Sequence, residues 1–317
     1  MSNGPSHWNG AAIEIRGQKP DWLSEGLDRQ PEVFVTGVRR RLTGDVAGRV
    51  SVRSIAHWPK GARRPYGLAG NQIWIPPYNV FMRHLLCIAV SSTDEMRPCF
   101  DAVLAGEWPL TLPVSEMLGA QRALIVFSEN DVGASFLVAD RTAGVRGEIK
   151  PTEYAYILNR ERDDPVEPMM KQLNKGYADA LHYWSRHSLQ ANMSVCDLDA
   201  FTMPSNEGPR LLIELKSSDT SVYKLWPEDA PNLKLMEGLS KEFDAMRPLV
   251  IRSQPSNPGN VGFFIMERVD DDVLTGSYKV LEGNDGAAAL DWCIDLMGEI
   301  RRGGMPGGFS PFLVPRR

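Results

Sequence analysis

The chain lacks the features that mark several large classes of protein. Its 317 residues include only four cysteines (Cys87, Cys99, Cys196 and Cys293), and none has Cys-x-x-Cys spacing. This argues against a zinc site or a disulfide framework and favours a reducing compartment. No apolar run approaches the ~20 residues that cross a bilayer. The first residues lack the charged and apolar regions of a signal peptide. We therefore expect a cytoplasmic protein with no membrane partner.

Motifs for nucleotide cofactors and for serine hydrolases are missing as well. No Gly-x-Gly-x-x-Gly follows a predicted strand, no loop carries Gly-Lys-Ser/Thr, and no Gly-x-Ser-x-Gly occurs. Each of these motifs holds a phosphate or a nucleophile in a geometry that other residues rarely provide. No repeat is present, which excludes solenoid folds. With 43% hydrophobic and 24% charged residues, the chain has an ordinary globular composition.

Negative charge predominates overall, but one segment is basic. The net charge is −5, so the whole chain does not have the character of a nucleic-acid-binding protein. Residues 31–64 nevertheless hold eight basic and two acidic side chains. Such a patch can follow a phosphate backbone, although arginines on a small exposed sheet can also be simply solvated. The candidate nucleic-acid contacts are Arg39, Arg40, Arg41, Lys60, Arg63 and Arg64.

The hydrophobic pattern predicts a segmented α/β chain. Residues 151–165 are charged and form a predicted connection, and a helix is predicted over 166–190. Later segments predict a helix at 233–243, an edge strand at 278–281 and a helix at 287–302. The predicted segments are an N-terminal arm (1–30), a mixed α/β accessory or recognition domain (31–150), a domain that carries the chemistry (151–302) and a tail (303–317).

Two strand-like runs, at 195–201 and 210–218, carry charged side chains on alternate residues. Because successive side chains of a strand point to opposite faces, the charged residues of each run share one face. Charge next to buried apolar residues costs free energy unless it is paired or binds a metal ion. If the runs form a hairpin, four charged groups converge. These are Asp197 and Asp199 on the first run and Glu214 and Lys216 on the second.

That group of side chains suits the hydrolysis of a phosphodiester. The reaction needs a divalent cation that polarises the phosphate and activates water. Mg²⁺, or Mn²⁺ in its place, takes oxygen ligands such as carboxylates. Lys216 lies two residues after Glu214, so it can orient the attacking water or stabilise charge on the phosphate. The main-chain carbonyl of Leu215 would lie within reach of the same ion.

The stretch resembles a known family. Asp197-Leu198-Asp199-Ala200, followed after a gap by Ile213-Glu214-Leu215-Lys216, is similar to the PD-(D/E)xK nuclease superfamily, which includes restriction endonucleases and archaeal-type Holliday junction resolvases. Glu214 and Lys216 match the second half of the motif. Asp197 matches the resolvase-like form of the first half, and Asp199 competes with it. The resemblance leaves open whether an acidic residue of the preceding helix, Glu167 or Asp179, takes part.

The resemblance implies both a fold and an activity. The family core is a helix, three or four strands and a flanking helix, which residues 166–266 match in order. We therefore expect a restriction-endonuclease-like mixed sheet flanked by helices in the C-terminal half, beside an N-terminal mixed α/β domain. The implied activity is that of a Mg²⁺- or Mn²⁺-dependent endonuclease acting on nucleic acid, with DNA favoured over RNA. The implied metal ligands are Asp197, Asp199, Glu214 and the Leu215 carbonyl, and the catalytic residues are the three carboxylates and Lys216.

Two other functions stay open at this point. One is a nucleic-acid-binding protein that keeps the nuclease fold without turnover. The other is an assembly subunit of a nucleoprotein or phage-defence complex. A homodimer or a larger protein complex is compatible with each of these functions.

Overall fold

The computed structural model describes most of the chain. The described residues are 21–36, 38–43, 46–57, 82–90, 95–106, 121–128, 134–140, 144–159, 181, 184, 193–202, 210–218, 233, 236–237, 246–269 and 273–315.

The described part of the chain is a mixture of helices and strands. Its helices are α1 (Asp21–Asp28), α2 (Met96–Ala105), α3 (Pro151–Asn159) and α4 (Gly286–Arg301). Its strands up to residue 198 are β1 (Val33–Val35), β2 (Val38–Thr43), β3 (Val46–His57), β4 (Met82–Val90), β5 (Gln121–Ser128), β6 (Phe136–Asp140), β7 (Val145–Ile149) and β8 (Met193–Leu198). The later strands are β9 (Ala200–Thr202), β10 (Arg210–Ser217), β11 (Met246–Gln254), β12 (Asn257–Val269), β13 (Val273–Leu281) and β14 (Ser310–Pro315).

These strands form two mixed sheets, and the chain divides into two compact units. The first sheet has the order β2-β3-β4-β5-β6-β7, and β8 also pairs with β3. Within it, β4 and β5 are parallel. The second sheet has the order β1-β9-β10-β11-β12-β13-β14, with β10 and β11 parallel. The fold class predicted from the sequence, α/β with mixed sheets, is confirmed at this level.

Apolar alternation builds the core of the second sheet. On β10, every second residue (Leu211, Ile213 and Leu215) is buried in one hydrophobic cluster. The same cluster takes buried side chains from α4, including Cys293 and Met297. α4 has the helical spacing of a one-sided apolar stripe, so one face of the sheet is covered and Glu214 and Lys216 belong to the opposite face.

A polar contact is buried in the core of the first sheet. The Tyr154 hydroxyl on α3 donates a hydrogen bond to Asp140 Oδ2 at 2.9 Å, and both residues are buried. The Tyr154 ring stacks on Trp184 with the centroids 5.6 Å apart. The Trp184 indole N–H donates to the Pro151 carbonyl at 2.7 Å. The aromatic cluster thus fixes α3 against the sheet with its polar atoms satisfied.

Residues near the N-terminus pack with the second sheet. The arm predicted over residues 1–30 differs from the structure in its last part, where Leu23 and Leu27 of α1 are fully buried in the core that α4 covers. β1 pairs antiparallel with β9, with Val35 opposite Ala200. The helix and strand of residues 21–35 therefore belong structurally with the strands that follow residue 200.

Several local predictions can be compared with the described elements. The helix predicted over 287–302 is confirmed by α4. The strand predicted over 278–281 is confirmed as part of β13, but the edge position is wrong for Tyr278, which also pairs with Ser310 of β14. The connection predicted over 151–165 is wrong at its start, where α3 forms. The helix predicted over 166–190 lies outside the described residues, apart from helical Leu181 and Trp184.

None of the described helices is long and apolar enough to cross a membrane.

Candidate functional site

Asp199 stands at a break between two strands. β8 ends at Leu198 and β9 begins at Ala200. β8 pairs with β3 in the first sheet, whereas β9 lies between β1 and β10 in the second. The single strand predicted over 195–201 is therefore wrong, and Asp197 and Asp199 do not share one face of one strand. Asp197 lies on β8, and Asp199 lies at the point where the chain passes between the sheets.

The carboxylate of Asp199 completes the hydrogen bonding of β10. β9 is only three residues long and pairs antiparallel with β10, with Ala200 opposite Ile213. Beyond that pair, the backbone N–H of Leu215 donates to Asp199 Oδ2 at 2.9 Å. A buried backbone N–H needs an acceptor, and the side chain supplies one where β9 has ended. The hairpin predicted between the two runs is thus confirmed for β9 and β10.

Asp199 is also held through its main chain by Thr36, the residue that follows β1. Its carbonyl oxygen accepts a hydrogen bond from the Thr36 backbone N–H at 2.8 Å. It accepts another from Thr36 Oγ1 at 3.1 Å. Asp199 is 4% exposed, and Thr36 is buried. The position of Asp199 is therefore fixed by Leu215 of β10 and by Thr36 just after β1, so its carboxylate is preorganised beside β10.

Glu214 and Lys216 lie together on the face of β10 away from α4. Glu214 is 2% exposed. Lys216 Nζ lies 2.7 Å from Glu214 Oε1, and the Lys216 side chain is 22% exposed. A buried carboxylate is costly without a charge partner, and the ammonium supplies a short, charge-assisted hydrogen bond. The prediction that alternate residues of β10 bring these two groups together is confirmed.

The strand register places Asp199 next to this pair. Leu212 is opposite Phe201 and Ile213 is opposite Ala200. The next position in this register places Glu214 opposite Asp199. In an antiparallel ladder, the N–H and C=O groups of one residue point to the same neighbouring strand. Because the Leu215 N–H points to Asp199, its carbonyl also points to the β9 side. Oxygens of Asp199, Glu214 and Leu215 thus occupy one short stretch of the hairpin.

A basic residue outside the predicted site lies beside Lys216. β10 and β11 are parallel, with Lys216 opposite Arg252. Leu249 and Ile251 lie in the core with α4, so Arg252 shares the Glu214 face. Arg252 is 8% exposed, and its Nη2 donates to the Ser218 carbonyl at 3.4 Å. A charged residue directly after the apolar run 249–251 was the signal in the sequence.

The remaining predicted site residues lie elsewhere or outside the described residues. Arg39, Arg40 and Arg41 are on β2, which belongs to the first sheet. Residues 60, 63 and 64 of the basic segment are outside the described ranges. The same holds for the two acidic candidates at 167 and 179.

The oxygens at this hairpin fit a hard divalent cation better than a soft one. Among the described residues, no group of three or more His, Cys, Asp or Glu side chains could hold a metal ion. Two carboxylates and a carbonyl do not provide the nitrogen or sulfur ligands typical of zinc. Mg²⁺ usually takes one or two carboxylates and keeps several waters. Asp199, Glu214 and the Leu215 carbonyl therefore match Mg²⁺ or Mn²⁺ in ligand chemistry.

Comparison with known proteins identifies no similar protein or family. No protein-family model matches the chain, and no curated protein and no solved structure matches it at a significant level. The functional argument therefore rests on the residues and contacts of the chain itself.

Proposed function

We propose that the chain is a metal-dependent nuclease that hydrolyses phosphodiester bonds of nucleic acid, DNA in preference to RNA. The observation that carries the proposal is the Glu214–Lys216 ion pair on β10, with the carboxylate of Asp199 bonded to the Leu215 N–H between them in sequence. Asp199 and Glu214 are almost completely buried, and Lys216 Nζ contacts Glu214 Oε1 at 2.7 Å. Charged groups concentrated beside a hydrophobic core are costly, and such sites are enriched in function.

The second sheet supports the resemblance to PD-(D/E)xK nucleases through its element order. The family core is a helix, then three or four strands with a flanking helix. Along the chain, α1 and β1 precede β9, β10 and β11, and these four strands are neighbours in the sheet. Helical residues at 233 and 236–237 lie between β10 and its parallel neighbour β11. We propose that α1 supplies the first helix of a restriction-endonuclease-like core.

Each residue of the hairpin has a distinct chemical task in this proposal. The oxygens of Asp199, Glu214 and Leu215 would hold a Mg²⁺ ion, and the bound ion would supply Lewis acidity for the phosphate and for the attacking water. Asp199 is held by Leu215 and Thr36, so its carboxylate needs little rearrangement. Lys216 neutralises Glu214, and its ammonium can orient the attacking water or stabilise charge on the phosphate.

Cleavage assays with matched variants test the proposal. Labelled DNA and RNA are incubated with Mg²⁺, Mn²⁺ or excess EDTA, and the products are resolved on denaturing gels. We expect Glu214→Gln and Lys216→Met to lower the cleavage rate by about 10²-fold or more, because each removes charge stabilisation. Lys279→Met is the control, because Lys279 lies on β13, outside the proposed site, and its ammonium donates a hydrogen bond to the Gly307 carbonyl. This control should keep full activity.

The same assays can contradict the proposal. Cleavage that continues at the wild-type rate in both Glu214→Gln and Lys216→Met would show that the hairpin is not the active site. Cleavage in excess EDTA would show that no metal ion is needed. Thermal unfolding of each variant shows whether a lost activity reflects a lost fold.

One observation favours a second candidate, a nucleic-acid-binding protein with this fold but without turnover. Among the side chains that the structure describes, Asp199 and Glu214 are the carboxylates beside this part of β10, and no group of three metal-ligating side chains occurs. Calorimetric titration with Mn²⁺ separates the two functions. Nucleic-acid binding without Mn²⁺ binding and without cleavage supports the second candidate.

A further inference from the structure

The polar face of the second sheet carries a second cationic group beside the proposed site. Lys216 and Arg252 are direct neighbours on the parallel strands β10 and β11. Neighbouring strands lie about 4.8 Å apart, so both side chains face the same small area. Lys216 contacts Glu214, whereas Arg252 adds a permanent positive charge next to that pair.

The end of the two strands holds Arg252 in place. Arg252 Nη2 donates to the Ser218 carbonyl at 3.4 Å. The Ser218 N–H donates to the Ser253 carbonyl at 3.0 Å, and Ser253 Oγ donates to the Lys216 carbonyl at 3.4 Å. These cross-links tie the carboxyl ends of β10 and β11 together. The guanidinium is therefore oriented towards the end of the strand that carries Lys216.

Burial makes this arginine a preorganised group. Arg252 is 8% exposed, and arginine is rarely buried to this extent without a partner or a role. A guanidinium held in one rotamer loses little entropy when it binds a ligand. Its planar fork matches the two free oxygens of a phosphodiester, which a lysine ammonium binds only as a point charge.

We propose that Arg252 binds a backbone phosphate of the nucleic acid next to the phosphate that is cleaved. This inference rests on the proposed function, because it identifies the ligand from the chemistry of Lys216 and Glu214. Arg252 is then a binding residue that holds the substrate strand in register with Lys216. The competing explanation is a structural clamp, in which Arg252 only closes the ends of β10 and β11.

Binding assays with labelled DNA separate these two roles. Fluorescence anisotropy is measured for single-stranded and duplex DNA at several salt concentrations, with Ca²⁺ replacing Mg²⁺ and with EDTA in a parallel series. We expect Arg252→Met to weaken binding about ten- to a hundredfold, as for the loss of a charged hydrogen bond. The slope of log affinity against log salt should fall by about one, since one phosphate contact is lost.

Two further variants keep the test decisive. Arg252→Lys keeps the charge, so we expect it to keep the salt slope and to lose part of the affinity. It also carries the test if Arg252→Met does not fold. Ser277→Ala removes a hydroxyl from β13, away from Lys216 and Arg252, so it should leave both affinity and slope unchanged.

The outcomes separate this inference from the proposed function. If the wild type binds and cleaves while Arg252→Met keeps its affinity and salt slope, Arg252 is only structural and the inference is wrong. Lost affinity with an unchanged salt slope leads to the same conclusion. If the wild type binds without cleaving and Arg252→Met lowers the slope, the phosphate contact stands and the nuclease function falls. A wild type that neither binds nor cleaves contradicts both.

Discussion

Substitution of Asp199 by alanine would remove a structural contact and a proposed metal ligand at once. The Asp199 carboxylate accepts a hydrogen bond from the Leu215 N–H at 2.9 Å, and both residues are buried. A buried donor that loses a charged acceptor costs about 2–3 kcal/mol. We therefore expect Asp199→Ala to lower the free energy of unfolding of the second sheet by about that amount. It should also abolish cleavage.

Two matched variants separate the structural effect from the chemical one. Asp199→Asn keeps an oxygen that can accept from Leu215, so its stability should fall by only about 1 kcal/mol or less. Its cleavage should still be lost, because a neutral amide is a poor ligand for Mg²⁺. At the other end of β9, Thr202 Oγ1 accepts from the Leu211 N–H at 2.9 Å. Thr202→Val should cost about 1–2 kcal/mol and leave cleavage per folded molecule unchanged.

Hydrogen exchange measured by mass spectrometry reports the loss of the Leu215 hydrogen bond directly in the peptide that covers β10. The peptide covering β10 should exchange faster in Asp199→Ala than in Asp199→Asn, and urea unfolding should give the same order of stability. An Asp199→Ala protein within about 0.5 kcal/mol of the wild type, with unchanged protection of β10, would refute the structural reasoning. An Asp199→Asn protein that cleaves at the wild-type rate would refute the role as a metal ligand.

Two further predictions concern packing and thiol chemistry. A Cβ added at Gly276 would overlap the backbone carbonyl oxygen of Ile265, whereas one at Gly307 would meet nothing within 4 Å. Gly276→Ala should therefore lower the free energy of unfolding by about 1–3 kcal/mol, and with it the midpoint of urea unfolding, whereas Gly307→Ala is the neutral control. Equal midpoints for the two variants would contradict the close approach of the strands at Gly276. Burial raises the pKa of the Cys293 thiol, so the reactive thiolate is scarce. Peptide mass spectrometry should find Cys293 unmodified by iodoacetamide until the protein is denatured, and rapid labelling of the native protein would show that the α4 core opens.

Local sequence patterns were sufficient for part of the candidate site. The alternation along β10 places Leu211, Ile213 and Leu215 in the core and the two charged residues on the other face. That alternation depends only on the two-residue period of a strand, which is visible in the sequence. The helix α4 was predicted for the same reason, since its apolar residues recur at helical spacing.

Other parts depended on contacts that no local pattern contains. Asp199 and Thr36 are 163 residues apart in sequence, yet their hydrogen bond joins β1 to β9. The run 195–201 alternates like one strand, and only the pairing of each half with a different sheet shows the break. α3 was missed because the charged residues after it dominate the segment, although Pro151 and Glu153 suit a helix start.

The pairing of Val35 with Ala200 has a consequence for how the two sheets follow one another along the chain. The chain leaves the second sheet after Thr36 and returns at Asp199, and a 2.8 Å hydrogen bond joins these two residues. Every strand of the first sheet lies between them. The two ends of the segment between Thr36 and Asp199 are therefore as close as the ends of a hairpin turn, although the segment is long. The entropic cost of closing a loop rises only slowly with the length of the loop. The second sheet can therefore accommodate the whole first sheet as an insertion at this one turn.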